Sequence, residues 1–197
     1  MRKSPVRRQA PETGADRRPR PRGRWRYTAA AGVLVVAALS FVTARWYVWP
    51  QEQRIPARVD AIVMLNGPGD RLSTALDLAW AHHAPVIVIS RGSSYWGHGN
   101  VCAPKIPGVR VICFDPNPAT TRGEAEFAGR LAARYHWRSI AVVAITPQDV
   151  VARLRLERCF GGRIYLANAR LSVLRWPYEI VYEWGSTGKA LFLQRAC

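Results

Sequence analysis

Val59-Asp60-Ala61-Ile62-Val63-Met64-Leu65 runs straight into Asn66-Gly67-Pro68-Gly69-Asp70, and the reading of these two segments decides the fold. An apolar run with one polar side chain, stopped by a cluster of turn formers, predicts a buried strand ending in a tight loop. The segment after it, Arg71 to His82, sets Leu72, Ala75, Leu76 and Ala79 at helical spacing. The alternation then repeats. Pro85-Val86-Ile87-Val88-Ile89 reads as a second buried strand ending at Ser90-Arg91-Gly92, followed by a long loop from Ser93 to Gly108. Val109 to Phe114 is the third strand. A helix follows from Thr121 to Tyr135, with Glu124 three positions after Thr121 as in a capping box. Ile140 to Ile145 is the fourth strand, and Thr146-Pro147 open an arginine-rich helix to Phe160, stopped by Gly161-Gly162. Arg163 to Leu166 reads as a short fifth strand and Tyr178 to Gln194 as a closing helix. Strands alternating with helices imply βαβ units, hence a Rossmann-like three-layer α/β domain with a mainly parallel sheet.

Upstream the chain changes character. Residues 28–44, TAAAGVLVVAALSFVTA, carry no charge, and Trp46, Tyr47 and Trp49 follow them. Extended through these aromatics the segment is long enough to span a bilayer as a helix. Of the net charge of +16, half sits in residues 1–27, where ten basic side chains face only Glu12 and Asp16. That asymmetry predicts a cytoplasmic N-terminus and an extracytoplasmic remainder. The division expected is a basic disordered tail at 1–27, a transmembrane signal-anchor helix at 28–49, a linker at 50–58 and one α/β domain at 59–197. Two other readings of the apolar segment are an export signal cut after Val42-Thr43-Ala44 and a buried core helix. The Pro/Arg-rich tail suits anionic lipid headgroups beside a plasma membrane, and no nucleic-acid partner is expected.

Four cysteines in an exported domain, with no C-x-x-C spacing, point to disulfides rather than to a metal site. The preferred pairing is Cys102 with Cys113, clipping the long loop to the third strand, and Cys159 with Cys197. Among the histidines, His98 in that loop is the one suggested for chemistry, and His82, His83 and His136 fall at helix ends.

In a parallel sheet the loops after the strands gather on one edge, where open α/β sheets bind ligands. The polar clusters of this chain recur at those loops: Asn66–Arg71, Ser90–Gly92, Asp115–Glu124 and Thr146–Arg153. Gly67 and Gly69 allow backbone amides close to a ligand, or serve only as turn punctuation. Arg71 at a helix start could neutralise a bound anion or lie solvated on the surface. Thr120, Thr121 and Arg122 group hydroxyls, backbone donors and a guanidinium suited to phosphate, with a capping box beside an exposed Arg122 as the plainer reading. Thr146 and Arg153, two helical turns apart, can share a face, with Arg153, Arg155 and Arg158 as an ordinary solvated surface the plainer reading. Asn66, Ser90 and Gly92 complete the candidate ligand set, and Asp70 and Glu124 are the acid–base candidates. The glycine pattern is neither a Walker P-loop nor G-x-G-x-x-G, so no cofactor is specified.

These landmarks resemble the YdcF-like family of bacterial envelope proteins, which includes the SanA and ElyC group. The resemblance covers Asp60 to Phe160, with a fainter match to the closing helix. It rests on the DAIVML strand and its glycine loop followed by Arg71-x-x-x-Ala75, on the PVIVIS strand ending at Ser90-Arg91-Gly92, and on Thr121-Arg122-Gly123-Glu124-Ala125. Thr146 and Arg153 match the Thr and Arg of the family's Thr-x-x-x-His-x-x-Arg segment. Two positions depart: Val150 stands where many members carry His, and Arg91 where Gly is common. The resemblance implies a Rossmann-like domain, often membrane-anchored and associated with envelope biogenesis, without a common assigned reaction.

The function expected from residues and resemblance together is binding of a phosphorylated cell-wall precursor or nucleotide-like ligand, with hydrolase or transferase activity as the enzymatic form. The alternative is a noncatalytic scaffold that binds envelope-assembly proteins. Reporter fusions after Arg26 and after Arg58 are expected to give opposite compartment signals. Matching cytoplasmic signals would eliminate an exported domain.

Overall fold

The computed structural model describes residues 24–49, 53–92 and 101–197. The basic tail up to residue 23, residues 50–52 of the linker, and Trp96 and His98 lie outside the described residues. The chain divides into two compact units, one ending at Leu39 and the other running from Ser40 to Cys197. Helix α1 (Arg24–Thr43) continues into a π-helical turn, Ala44–Val48. Together, the 24 residues Trp25–Val48 make a helix long and apolar enough to cross a membrane. Val33, Leu34, Val35 and Val36, which point in four successive directions around it, are all more than half exposed. A helix apolar on every side is built for lipid or for a deep core, not for a water-facing surface.

Five strands form one all-parallel sheet in the order β3-β2-β1-β4-β5. They are β1 (Ala61–Met64), β2 (Val86–Ser90), β3 (Arg110–Phe114), β4 (Ser139–Ile145) and β5 (Arg163–Ala169). Val63 pairs with Val88 on one side and Val142 on the other, so β1 is central and apolar on both faces. Alternate residues feed two cores. Ala61, Val63, Val142 and Ala144 pack with Ala125 and Ala128 of α3 (Thr121–Tyr135) and Ala152 and Leu156 of α4 (Asp149–Cys159). Ile62, Met64, Val143 and Ile145 pack with Ala75 and Ala79 of α2 (Arg71–Trp80). The result is the expected Rossmann-like layering, helices on both sides of the sheet. Asp60, the one polar residue of the opening run, sits at the strand start. Its Oδ2 accepts the Arg138 and Ser139 amides at 2.6 and 2.8 Å, fixing the register of β1 against β4.

Some boundaries shift for identifiable reasons. The fifth strand is longer than expected, because β5 pairs residue for residue with β4 through Ala169. Thr146–Gln148 form a 3₁₀ turn, and the α-helix starts only at Asp149. The closing helix is α5 (Trp176–Gly188), followed by a π-helical turn, Lys189–Leu193. Arg158 of α4 donates to the Ala190 and Gln194 carbonyls, both at 2.8 Å, and so satisfies acceptors left open at this C-terminal end. Thr120, not Thr121, is the N-cap of α3, its hydroxyl accepting from the Gly123 amide.

The chain leaves β1 toward β2 on one side and later returns at β4 on the other. The C-terminal ends of β1 and β4 therefore border the switch-point crevice of the sheet. Both disulfides join the expected partners, Cys102 with Cys113 and Cys159 with Cys197. The second closes a separation of 38 residues and holds the chain end against α4. Replacing Cys159 and Cys197 by serine is expected to cost about 4 kcal/mol, and the shorter clip about 3 kcal/mol, if loop-closure entropy dominates. Denaturant unfolding of both double variants measures this, and equal, negligible losses would refute the entropic account.

Candidate functional site

A cavity of about 250 Å³ opens at the switch point. The β1 loop brings Asn66, Gly67, Pro68 and Arg71 to it, β2 brings Gly92, the start of α3 brings Thr120, Thr121 and Glu124, and the β4 turn brings Gln148. Helix α5 lies over the opening and adds Tyr178, Glu179, Tyr182 and Glu183.

Arg71 organises this wall. Its side chain is 1% exposed. Nε donates to the Pro68 carbonyl at 2.8 Å, and Nη1 to the Asn66 carbonyl at 2.9 Å and to Gln148 Oε1 at 2.7 Å. Gln148 in turn donates to Thr121 Oγ1 at 3.1 Å. One guanidinium thus folds the β1 loop back on itself and links it to the β4 turn and to α3. Gly67, at φ 142°, lies against that guanidinium, and a Cβ there would stand 2.6 Å from Nη2. Gly92 is needed for a similar reason, since a Cβ would collide with the Asn66 side chain.

Three carboxyls share this one arginine. Glu124 does not complete a capping box; its Oε1 instead accepts the Asn66 amide at 2.6 Å, inside the cavity. Burial raises its pKa to about 7, against the pull of the Ser90 hydroxyl, the Asn66 amide and the Arg71 charge. Burial likewise raises Glu183 to about 8, with Arg71 opposing and Glu179 adding repulsion. Glu179 is shifted upward too, first by burial, with Arg71 and Arg175 opposing. Around neutral pH the cavity therefore holds protonated and ionised carboxyls side by side. Asn66 Oδ1, Glu179 Oε1 and Glu183 Oε2 are buried acceptors with no donor among the described residues. No group of acidic, histidine or cysteine side chains among the described residues is arranged to hold a metal ion.

The structure gathers Asn66, Gly67, Arg71, Gly92, Thr120, Thr121 and Glu124 as expected, and separates the rest. Ser90 is buried at the end of β2 beside Glu124. Gly69 and Asp70 turn to a different hollow, with Arg170 and Ser172, so Asp70 does not join Glu124. Arg122 pairs with Glu126 at 2.7 Å along the helix, outside the cavity lining. Arg153 pairs with Glu157 at 3.6 Å and reaches toward the Ile164 carbonyl near the start of β5. The seven-residue spacing from Thr146 therefore does not carry Arg153 into the cavity lining. Glu179 and Glu183 line the cavity as well, and their mark in the sequence is the repeated Tyr-Glu pair, Tyr178-Glu179 and Tyr182-Glu183, four residues apart. Neither family models nor curated proteins match the chain.

Removing Arg71 leaves Gln148 Oε1 without its donor and three buried carboxyls without the nearby Arg71 counter-charge. Arg71→Ala is expected to cost on the order of 3 kcal/mol of stability in thermal unfolding, with Arg71→Lys recovering little because one ammonium cannot replace the planar fork. The raised acids also set a pH profile. The native state holds protons that the unfolded chain releases, so stability falls as pH rises from about 4.5 toward 7 to 8 and then levels. Glu124→Gln should flatten the part of that fall which ends near pH 7; a profile unchanged by the substitution would contradict the assignment.

Proposed function

We propose that this chain is a single-pass envelope-biogenesis protein whose signal-anchor holds an extracytoplasmic domain at the plasma membrane, N-terminus in the cytoplasm. The basic tail and the apolar helix support the orientation. The resemblance to the YdcF-like family supports the setting. The ligand is a phosphorylated cell-wall precursor or a nucleotide-like molecule, bound in the switch-point cavity. Its phosphate meets the positive end of the 15-residue helix α3 at Thr120 and Thr121 and the backbone beside Gly67. Its hydroxyl-rich part supplies donors to Asn66 Oδ1, Glu179 and Glu183.

One observation carries the chemical reading: Glu124 and Glu183, with pKa values of about 7 and 8, line the same cavity. At one pH the first can take a proton from an attacking water or hydroxyl while the second protonates the departing oxygen. That division suits hydrolysis or transfer of a phosphate-linked group, and it needs no contribution from Arg122 or Arg153. A turnover panel of lipid pyrophosphates and nucleotides tests it. Glu124→Gln and Glu183→Gln are each expected to lower turnover by about 10²- to 10⁴-fold and to remove one limb of a bell-shaped pH profile. No turnover by the wild-type protein across the panel would favour the noncatalytic scaffold.

A further inference from the structure

Helix α5 is built inside out. Glu179, Glu183 and Thr187 are its buried residues, whereas Tyr178, Val181 and Tyr182 on the outer side are 66%, 73% and 58% exposed. The flanking turns continue the apolar surface, with Val173, Leu174, Phe192 and Leu193 each more than 70% exposed. A helix in water hides its apolar stripe; this one presents it.

We infer that the outer face of α5 and its flanking turns lies in the lipid headgroup–acyl boundary of the membrane that the N-terminal helix enters. This rests on the membrane reading proposed above. Three observations choose lipid as the occupant. The last turn of the apolar helix is fastened to α5: Trp184 Nε1 donates to Thr43 Oγ1 at 3.1 Å, and the rings of Trp46 and Tyr47 pack on Trp184 at 6.2 and 5.4 Å. The α5 face is therefore joined side by side to the point where the chain leaves the bilayer, with Trp46, Val48 and Trp49 exposed beside it. Second, Arg170, Arg175, Lys189 and Arg195, in α5 and the segments beside it, are exposed, whereas both glutamates of α5 are buried. Asp70, in the hollow with Arg170 and Arg175, is the one exposed acid placed beside them among the described residues. Basic residues around an apolar patch complement an anionic lipid surface, each adding attraction to it. Third, Tyr178 and Tyr182, amphipathic rings of the kind enriched at membrane interfaces, stack on each other at 6.3 Å. These same two tyrosines line the cavity, so the cavity opens at the lipid boundary and takes a lipid-linked phosphate from the membrane plane.

The test places a photocrosslinking amino acid, one site at a time, in the full chain reconstituted into vesicles of phosphatidylcholine and phosphatidylglycerol. Val181 and Leu174 report on the face, Val36 on the membrane helix, and Trp80, exposed at the far end of α2, on nonspecific contact. Lipid adducts at Val181 and Leu174 should exceed those at Trp80 by about tenfold, and fall when phosphatidylglycerol is omitted. Adducts at Val36 without adducts at Val181 and Leu174 overturn the inference and leave the anchor standing. Absence of adducts at Val36 as well removes the anchor and the inference together. Crosslinks from Val181 to a second copy of the chain would make the face a protein interface, and would also overturn it.

Discussion

The buried guanidinium of Arg71 holds together the part of this molecule that differs from a generic α/β domain. It ties the β1 loop to its own carbonyls, reaches Gln148 after β4, and through Gln148 touches the start of α3. Its charge also opposes the upward shift of Glu124, Glu179 and Glu183. A buried cation with this many partners is tolerable only when all of them are in place, and the carboxyls are tolerable only beside the cation. Loop geometry, helix placement and acid–base character are thus one coupled arrangement rather than three.

That coupling leaves an acidic cavity for a ligand proposed to carry phosphate. Two fully ionised glutamates would repel an anion strongly in a dry cavity, where charges are poorly screened. Values of about 7 and 8 reduce the conflict, because much of the negative charge is absent near neutral pH. The positive pole available to the ligand is a helix terminus, which brings no competing proton or flexible side chain. The cavity then combines backbone donors and the Glu124 carboxyl on the α3 side with the Glu179 and Glu183 carboxyls on the α5 side.

Helix α5 connects this chemistry to the proposed membrane setting. Its buried face carries the acids and its outer face the apolar residues, so one element serves both the cavity and the surface. The Trp184 contacts with residues 43–47 fix that element to the last turn of the apolar helix. A membrane-proximal domain with such a helix would not need to extract its ligand into water.

The layering of the domain was legible in the sequence because a parallel sheet demands runs apolar on both faces, and DAIVML, PVIVIS and SIAVVAI have no other economical use. The uncharged run at 28–44 was legible from composition, and the cysteine pairing was a preference among three possible pairings that the structure bears out. The site was legible only in its loops: Asn66, Gly67, Thr121 and Glu124 come together because strand C-termini share an edge. What the sequence could not decide was direction. Arg71 at a helix start reads either as a counter-charge for a bound anion or as a solvated surface cation, yet it turns inward and donates to the Pro68 and Asn66 carbonyls and to Gln148. Arg153 reads as a site residue, yet its guanidinium is taken up by Glu157 and the Ile164 carbonyl at the start of β5. Glu179 and Glu183 lie in a segment that the sequence marks only as a closing helix, and the packing of α5 against the crevice places them on its inner side. Periodicity along the chain determines which residues share a face; which way the face points is settled by what the rest of the structure sets against it.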